Sequence, residues 1–259
     1  MHHFKTILAV IFVFITTVHC SDSETSSSEF SASTPTNYFK RSSQFTVEVY
    51  YEPNATPFTG STAGGLVYWS ILGDNLNTIL SYRSQIPTVN YPTVLSEMTQ
   101  IPAQSKTSWT IQDVLNLNKS FRSALPTADH ARFYIYFLDG NSSEGSSVIG
   151  FSINDTPIIA VFKDVVVTSG GPAVQKFVEQ STLVHEMGHA LGFVNNGVPL
   201  ASSHQDSVHG AHTVNSNCIM YWLNEGASDM AAFVQQFILT DSTDLWGTQV
   251  LGDAQSFSE

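Results

Sequence analysis

HEMGHALGF, at His185 to Phe193, is the stretch of sequence that decides the fold. Two histidines four residues apart lie on one face of a helix, so both imidazoles can bind a single metal ion. Between them, Glu186 can take a proton from a water bound to that metal and later deliver it to a leaving amine. The spacing therefore predicts a helix that carries a zinc (Zn²⁺) peptidase site, with His185 and His189 as zinc ligands and Glu186 as the catalytic base.

The residues on either side of the motif set the limits of this helix. Pro172 suits a first helical position, and Gly192 suits a C-terminal stop. Between them, apolar residues recur at helical spacing and give the helix one buried side. They are Val174, Phe177, Val178, Val184 and Leu191. The pattern predicts a helix from Pro172 to Leu191.

Upstream of this helix, apolar runs predict strands and helices in turn. The predicted strands are Gln44 to Tyr51, Ala131 to Leu138, Val148 to Ile153 and Pro157 to Val167, and the predicted helices are Leu66 to Leu80 and Thr110 to Phe121. The last two strands would form a hairpin that turns at Asn154 and Asp155. Tyr91 to Ile101 is ambiguous, and a last helix is expected to begin near Ser228. The predicted fold class is α+β.

The N-terminal region divides the chain of 259 residues into three parts. Residues 1–20 have a short polar start, an apolar run and small residues before Ser21, which predicts a cleaved signal peptide and a secreted, extracellular protein. Residues 21–43 are Ser- and Thr-rich and predict a flexible leader. Residues 44–259 are long enough for one catalytic domain. We expect no stable membrane insertion once the signal peptide is cleaved.

The charge and the cysteine content limit which molecules the protein can bind or form a disulfide with. Cleavage after Cys20 removes one basic residue and leaves 9 basic against 22 acidic residues, a net charge of −13, which argues against nucleic acid as a partner. Cys218 is then a lone thiol, either unpaired or bonded to another molecule. Four sequons predict a glycoprotein if the chain is secreted through an endoplasmic reticulum. They begin at Asn54, Asn118, Asn141 and Asn154.

At this point the sequence resembles the metzincins, zinc peptidases of the zincin clan whose motif is HExxHxxGxxH followed by a Met-turn. His185, Glu186, His189 and Gly192 match position by position, and CIMY at 218–221 looks like the Met-turn, with Met220 as its methionine. The resemblance implies a mixed twisted sheet with backing helices, an active-site helix and a C-terminal subdomain with the Met-turn. It also implies a protein or peptide substrate that binds along an edge strand, here within 148–162.

The match fails at the third ligand, where this chain has Asn195 and so reads HExxHxxGxxN. A carboxamide is a poor zinc ligand compared with imidazole. The segment 202–213 offers replacements, and we rank His204 first because a turn after Asn195 can bring it back toward the helix. His209, His212, Asp206 and Asn195 itself remain alternatives. A second, structural ion at His209 and His212 is also open.

Three further residues have conditional roles. Asp206 can instead accept a hydrogen bond from a ligating imidazole, or it is ordinary surface charge. Tyr221 can stabilise an oxyanion, although family members that use such a tyrosine place it two residues after the methionine, so packing is favoured. Glu225 is the candidate for a rival zincin type in which a later glutamate completes the site.

The leading hypothesis is a secreted zinc metalloendopeptidase. Asn195 motivates an alternative, a catalytically weak or inactive pseudoprotease that acts as an extracellular binding protein, although the intact Glu186 argues against it. A third hypothesis is a structural or adhesion protein that carries the motif by coincidence and binds no metal.

Overall fold

The computed structural model describes residues 29–238 and 243–259. The predicted signal peptide and the first residues of the predicted leader lie outside the described residues. Within the described ranges, no helix combines the length and apolar character that crossing a membrane requires.

The segment 29–43 is folded, although the sequence predicted a flexible leader as far as Ser43. It contains helix α1 (Pro35–Lys40), whose Tyr38 and Phe39 are buried. The Tyr38 ring centroid lies 5.1 Å from that of Phe133 in the central sheet. Large aromatic side chains therefore tie this segment to the core in spite of its polar composition, and the folded domain begins before Gln44.

A six-stranded sheet forms the centre of the fold. Its strands are β1 (Gln44–Tyr51), β2 (Thr88–Asn90), β3 (Thr99–Gln100), β5 (His130–Leu138), β7 (Gly150–Ser152) and β8 (Ile158–Phe162), and a separate parallel pair is formed by β4 (Ser108–Trp109) and β6 (Asn141–Ser142). The main order is β2-β1-β5-β8-β7, and β3 also pairs with β1. All neighbours are parallel except β7, which runs antiparallel to β8 at one edge.

The sheet is buried in the way that parallel sheets require. The side chains of β8 are all buried, and so are most of those of β5, because helices cover both strands. The remaining helices are α2 (Ser70–Leu80), α3 (Ile111–Phe121), α4 (Lys163–Val166), α5 (Pro172–Leu191), α6 (Ala227–Ile238) and α7 (Thr248–Ser258), with 3₁₀ turns at Leu95–Glu97 and Trp222–Glu225. The result is a mixed α/β fold with a mostly parallel sheet and backing helices.

Several sequence predictions are confirmed in detail. β1 and α5 have the predicted bounds, β5 begins one residue earlier, and the β7–β8 hairpin turns at the predicted place, with Asp155 at φ 58°. Gly192 ends α5 in the left-handed conformation at φ 90°. This reversal directs the chain back across the C-terminal end of α5.

Other predictions were wrong in extent. The strand expected to reach Val167 ends at Phe162, and α4 follows because the buried Lys163 turns to meet the carboxylate of Glu179 on α5. The ambiguous segment before Ile101 contributes only the two residues of β3 and a 3₁₀ turn. Helix α7 was not predicted from the sequence.

Candidate metal centre

Helix α5 presents two imidazoles from successive turns. His185 is buried and His189 half-buried. The Nδ1 of His185 lies 2.7 Å from the carbonyl oxygen of Ile219. A carbonyl only accepts, so Nδ1 carries the proton of neutral His185 and Nε2 keeps a free lone pair. This lone pair points toward the Nε2 of His189, 3.2 Å away.

The third imidazole of the site comes from His212, on a loop that follows α5. Its Nδ1 donates to the carbonyl oxygen of His209 at 2.7 Å, so the Nε2 of neutral His212 also keeps its lone pair. That Nε2 lies 3.2 Å from the Nε2 of His189 and 3.3 Å from the Nε2 of His185. The Nε2 atoms of three imidazoles thus meet at one point.

This triangle fits a tetrahedral zinc ion. With Zn–N bonds of about 2.0 to 2.1 Å and tetrahedral angles, ligand nitrogens stand about 3.3 Å apart. The other ring nitrogen of both His185 and His212 donates to a carbonyl, so in the neutral rings both Nε2 lone pairs are free to bind a cation. The donor set and its spacing therefore suit Zn²⁺.

Burial keeps the helix histidines in the form that binds metal. Desolvation, followed by the nearby His212, lowers the pKa of His185 to about 4. Burial and the two neighbouring imidazoles hold the pKa of His189 well below its usual value. Both are therefore neutral at physiological pH, as metal ligation requires.

Glu225, at the end of the 3₁₀ turn Trp222–Glu225, is the fourth member of the cluster. Its Oε1 lies 3.2 Å from the Nε2 of His212, and one ligand atom from each of the four residues falls within 4.8 Å of the others. Burial opposes a charge on His212, but hydrogen bonds to Glu225 and to the His209 carbonyl raise its pKa on balance. The Glu225 side chain is 59% exposed, so this carboxylate stands at the rim of the site.

Glu186 lies beside the histidines in a cleft of about 400 Å³. Burial raises the pKa of its carboxyl to about 8, the charge of Glu225 adds to the rise, and the backbone N–H of Ser152 opposes it. A cation held by the histidines would lower this pKa again. The cleft is lined by Val148, Gly150, Phe151, Ser152, Asn154, Glu186, His189, Asn196, Ala211, His212 and Glu225.

Met220 lies directly against the active-site helix. The side chain is fully buried, and a Cβ atom built on Gly188 would overlap its Sδ and come within 3.2 Å of Trp246 Cζ3. The helix can approach Met220 so closely only because Gly188, between the two helix histidines, has no side chain. The assignment of 218–221 as a Met-turn stays a prediction.

The structure places His204, ranked first as third ligand from the sequence, outside the cluster. His204 is buried away from the cluster, with Nε2 2.7 Å from Asp253 Oδ2 and Nδ1 3.0 Å from Thr213 Oγ1. Both ring nitrogens are therefore occupied. His212, one of the alternatives, stands where the third ligand was sought.

The other candidates also lie outside the cluster. Asn195 is exposed, and its amide donates to Gln205 at 3.2 Å. Asp206 accepts backbone N–H bonds within its own loop and lies 3.0 Å from the Nδ1 of His209. The ring of His209 stacks on Trp222 at 3.9 Å. The structure thus places Asp206 at a loop turn and gives it no contact with a cluster imidazole.

Tyr221 and Cys218 have structural surroundings. Tyr221 lines a separate groove with Leu223 and Phe233, and the cleft that holds Glu186 does not include it. Cys218 is a free, fully buried thiol whose Sγ accepts the N–H of Gly247 at 3.1 Å. In the folded chain this thiol is inaccessible to another molecule, which argues against an intermolecular disulfide.

The sequence narrowed the third ligand to a short segment but did not select it. Five histidines fall between His185 and His212, which pointed to a metal site, yet no local pattern separates His212 from His204 or His209. The deciding facts are long-range: His204 meets Asp253 on the last helix, and His212 is left to face α5.

Comparison with known proteins adds two distant structural likenesses. No protein-family model and no curated protein matches the sequence significantly. Among solved structures, archaemetzincin from Methanopyrus kandleri aligns with 13% identity and a TM-score of 0.40, over 77% of this chain and 98% of that one. A zinc-dependent peptidase from Methanocorpusculum labreanum aligns with 11% identity and a TM-score of 0.38, over 71% and 91%. Scores at this level do not by themselves establish a shared fold.

Proposed function

We propose that this protein is a zinc-dependent endopeptidase, in which His185, His189 and His212 bind the metal and Glu186 acts as the base. The observation that carries the proposal is the triangle of Nε2 atoms with edges of 3.2, 3.2 and 3.3 Å. Three histidine ligands and an open fourth position are typical of catalytic rather than structural zinc sites.

The chemistry follows from what lies around the triangle. Zinc, when bound there, supplies a Lewis acid that polarises the scissile carbonyl and lowers the pKa of water. Glu186 shares the cleft with the ligands, so its carboxylate can accept a proton from the attacking water and pass it to the leaving amine. The N–H of Ser152 interacts with this carboxylate and orients it. Glu225 adds negative charge at the rim, which favours retention of the cation.

The substrate in this proposal is an extended peptide beside β7. This strand is the edge of the sheet and lines the same cleft as Glu186. An edge strand offers backbone groups to an added strand, which gives affinity with little sequence selectivity. A bridge between Val148 and Gly226 covers one end of the edge, so the peptide would pair with the part nearest Ser152.

Secretion is part of the proposal because the N-terminal pattern and the sequons favour it. The structure restricts which sequons could carry a glycan. Asn118 is fully buried, and its amide contacts the hydroxyl of Tyr136 at 3.4 Å, so a glycan there would disrupt the core. Asn54 and Asn154 are exposed. Asn154 also lines the cleft proposed for the peptide, where a glycan would obstruct the substrate, so we expect a glycan at Asn54 and none at Asn118 or Asn154.

The substitution Glu186→Gln tests the proposed function. It keeps the shape of the side chain but removes the base, so zinc should stay bound at one ion per chain while peptide hydrolysis falls by about 10²- to 10⁴-fold. Zinc content is measured by mass spectrometry and hydrolysis with a fluorogenic peptide library. Glu144→Gln, at a loop position away from the cleft, is the matched control. Unchanged hydrolysis in Glu186→Gln would overturn the proposal.

The binding-only alternative loses its motivation. It rested on Asn195 in place of a third histidine, and His212 supplies the third imidazole from elsewhere in the chain. Glu186 is also positioned in the cleft beside the ligands, where a protein that only binds a partner has no need of a base.

A further inference from the structure

His204 has no place in the metal cluster, yet it is among the most buried polar residues of the chain. Its side chain is 1% exposed and that of its partner Asp253 is fully buried. The His204 Nε2 donates to Asp253 Oδ2 at 2.7 Å, and the other carboxylate oxygen accepts the N–H of Ala201 at 2.7 Å. Asp253 therefore holds two points of one short segment against α7.

The same residue closes the base of the segment 204–214, which we call the histidine loop. The His204 carbonyl accepts the N–H of Val214 at 2.9 Å and the hydroxyl of Thr213 at 3.1 Å. The His204 Nδ1 also meets Thr213 Oγ1. His212 directly precedes this closure, so the position of its imidazole depends on where the base of the loop is held.

The base of the loop is also connected to the opposite side of the cluster. The Thr213 N–H donates to the carbonyl of Met220 at 2.9 Å, and the neighbouring Ile219 carbonyl accepts from His185. One chain of hydrogen bonds thus runs from α7 through the loop base to the active-site helix. Its members are buried, which makes each bond costly to break.

We infer that His204 and Asp253 are a positioning pair: they anchor the base of the histidine loop to α7 and so hold His212 at ligand distance from the two helix histidines. The inference rests on the proposed metal site. According to this inference, α7 affects metal affinity through the hydrogen bonds of Asp253, although it contributes no ligand.

The primary test is Asp253→Asn, which keeps the volume of the side chain but weakens its bond to His204. We expect the zinc dissociation constant to rise by about tenfold, at the lower end of what loss of an outer partner of a ligand costs. Competition with a chromophoric chelator measures this constant on protein whose fold is verified by circular dichroism. The visible spectrum of the Co²⁺-loaded variant at saturation should match the wild type, because the ligands themselves are unchanged.

Two variants guard the test. Thr213→Val removes the hydroxyl that joins His204 to the loop while leaving Asp253 paired, and it should also raise the zinc dissociation constant. It therefore provides the test if Asp253→Asn fails to fold. His209→Ala is the matched control, since it removes a histidine of the same loop but keeps the backbone carbonyl that orients His212. Its zinc dissociation constant should change by less than about twofold.

The results distinguish failure of the proposed role of His204 and Asp253 from failure of the proposed metal site. Zinc affinity that is unchanged in both folded variants would overturn the inference, and so would an altered Co²⁺ spectrum, which would make His204 a ligand. If the wild type binds no zinc, the proposed function fails. Hydrogen exchange of the metal-free chain then still tests the pair, because Asp253→Asn should expose the N–H of Val214 at least tenfold faster, and an equal rate would overturn the anchoring role.

Discussion

The two sides of the proposed metal centre are built in different ways. His185, Glu186 and His189 lie on α5, a 20-residue helix packed against the sheet on one side and against α2 and α6 on the others. His212 lies on the histidine loop, whose position depends on a few buried hydrogen bonds at its base. We call α5 with its three residues the helix side and the histidine loop with His212 the loop side. Packing in the core holds the helix side in place, and buried hydrogen bonds between polar residues hold the loop side.

The difference shows where the site is vulnerable. On the helix side, even the charged residues belong to the core: Glu179 of α5 is fully buried, bonded to Lys163 and to the N–H of Phe58 at 2.7 Å. Burial raises the pKa of Glu179 to about 7, and Lys163 opposes this rise. Changes on the helix side should therefore reduce the stability of the whole domain, and changes on the loop side should reduce metal affinity first.

Lys163→Met should give the largest effect, on the helix side. It leaves the buried Glu179 without its partner, which costs about 3 to 5 kcal/mol of unfolding free energy. Urea unfolding measures this loss, and the double variant with Glu179→Leu should recover most of it. Lys119→Met, on an exposed face of α3, is the control and should change stability by less than about 0.5 kcal/mol. A Lys163→Met variant as stable as the control would show that the pair does not anchor α5.

His212→Ala should give the next largest effect, and it should appear in metal binding. Structural zinc sites bind with about 10 to 16 kcal/mol, and a binding energy of that order shared by three or four ligands gives about 2.5 to 5 kcal/mol for each, or roughly a hundredfold or more in affinity. His189→Ala should cost about as much. The stability of metal-free His212→Ala should change little, because its loop lies outside the main core. Calorimetric titration with zinc checks the first point, and urea unfolding with a chelator checks the second.

Zinc binding by a variant of His204 tests the assignment of His212 to the loop side. If His204→Gln, in a folded protein, abolished zinc binding and His212→Ala did not, the loop would rearrange around the metal and the ligand assignment would be wrong.

Gly188→Ala should give the smallest effect, at the place where the two sides touch. The added Cβ would overlap Met220 and press on Trp246, which should cost about 1 to 3 kcal/mol of stability and weaken zinc binding. Elsewhere a helical Gly→Ala change is stabilising by about 0.5 to 1 kcal/mol. Gly252→Ala, inside α7, is the control, since no atom lies within 4 Å of its Cβ position. Without metal, the melting temperature of Gly188→Ala should be clearly lower than that of the control, which thermal melts measure.

The same contrast explains how much could be predicted from the sequence. α5 was predicted with its bounds because Pro172, the apolar spacing and Gly192 are local signals. β1 and β5 were predicted because their apolar runs are continuous or alternating over eight or nine residues. Local pattern is sufficient where the core itself decides the structure.

The rest depends on partners that are distant in sequence. His204 was ranked above His212 because a turn after Asn195 could bring it back toward the helix. Nothing near His204 shows that Asp253, 49 positions later, would occupy its ring. α4 was predicted as strand because only the contact with Glu179 explains why Lys163 is buried at the end of β8. Segment 29–43 was predicted as flexible because its few aromatic residues are hidden in a polar composition, although they pack on the sheet.

The most direct test of the central claim is a crystal structure of the zinc-loaded protein with anomalous scattering measured at the zinc edge. We predict one anomalous peak about 2.0 to 2.1 Å from the Nε2 atoms of His185, His189 and His212, with His204 still bonded to Asp253. A peak ligated by His204, or no zinc between the helix histidines, would contradict the account.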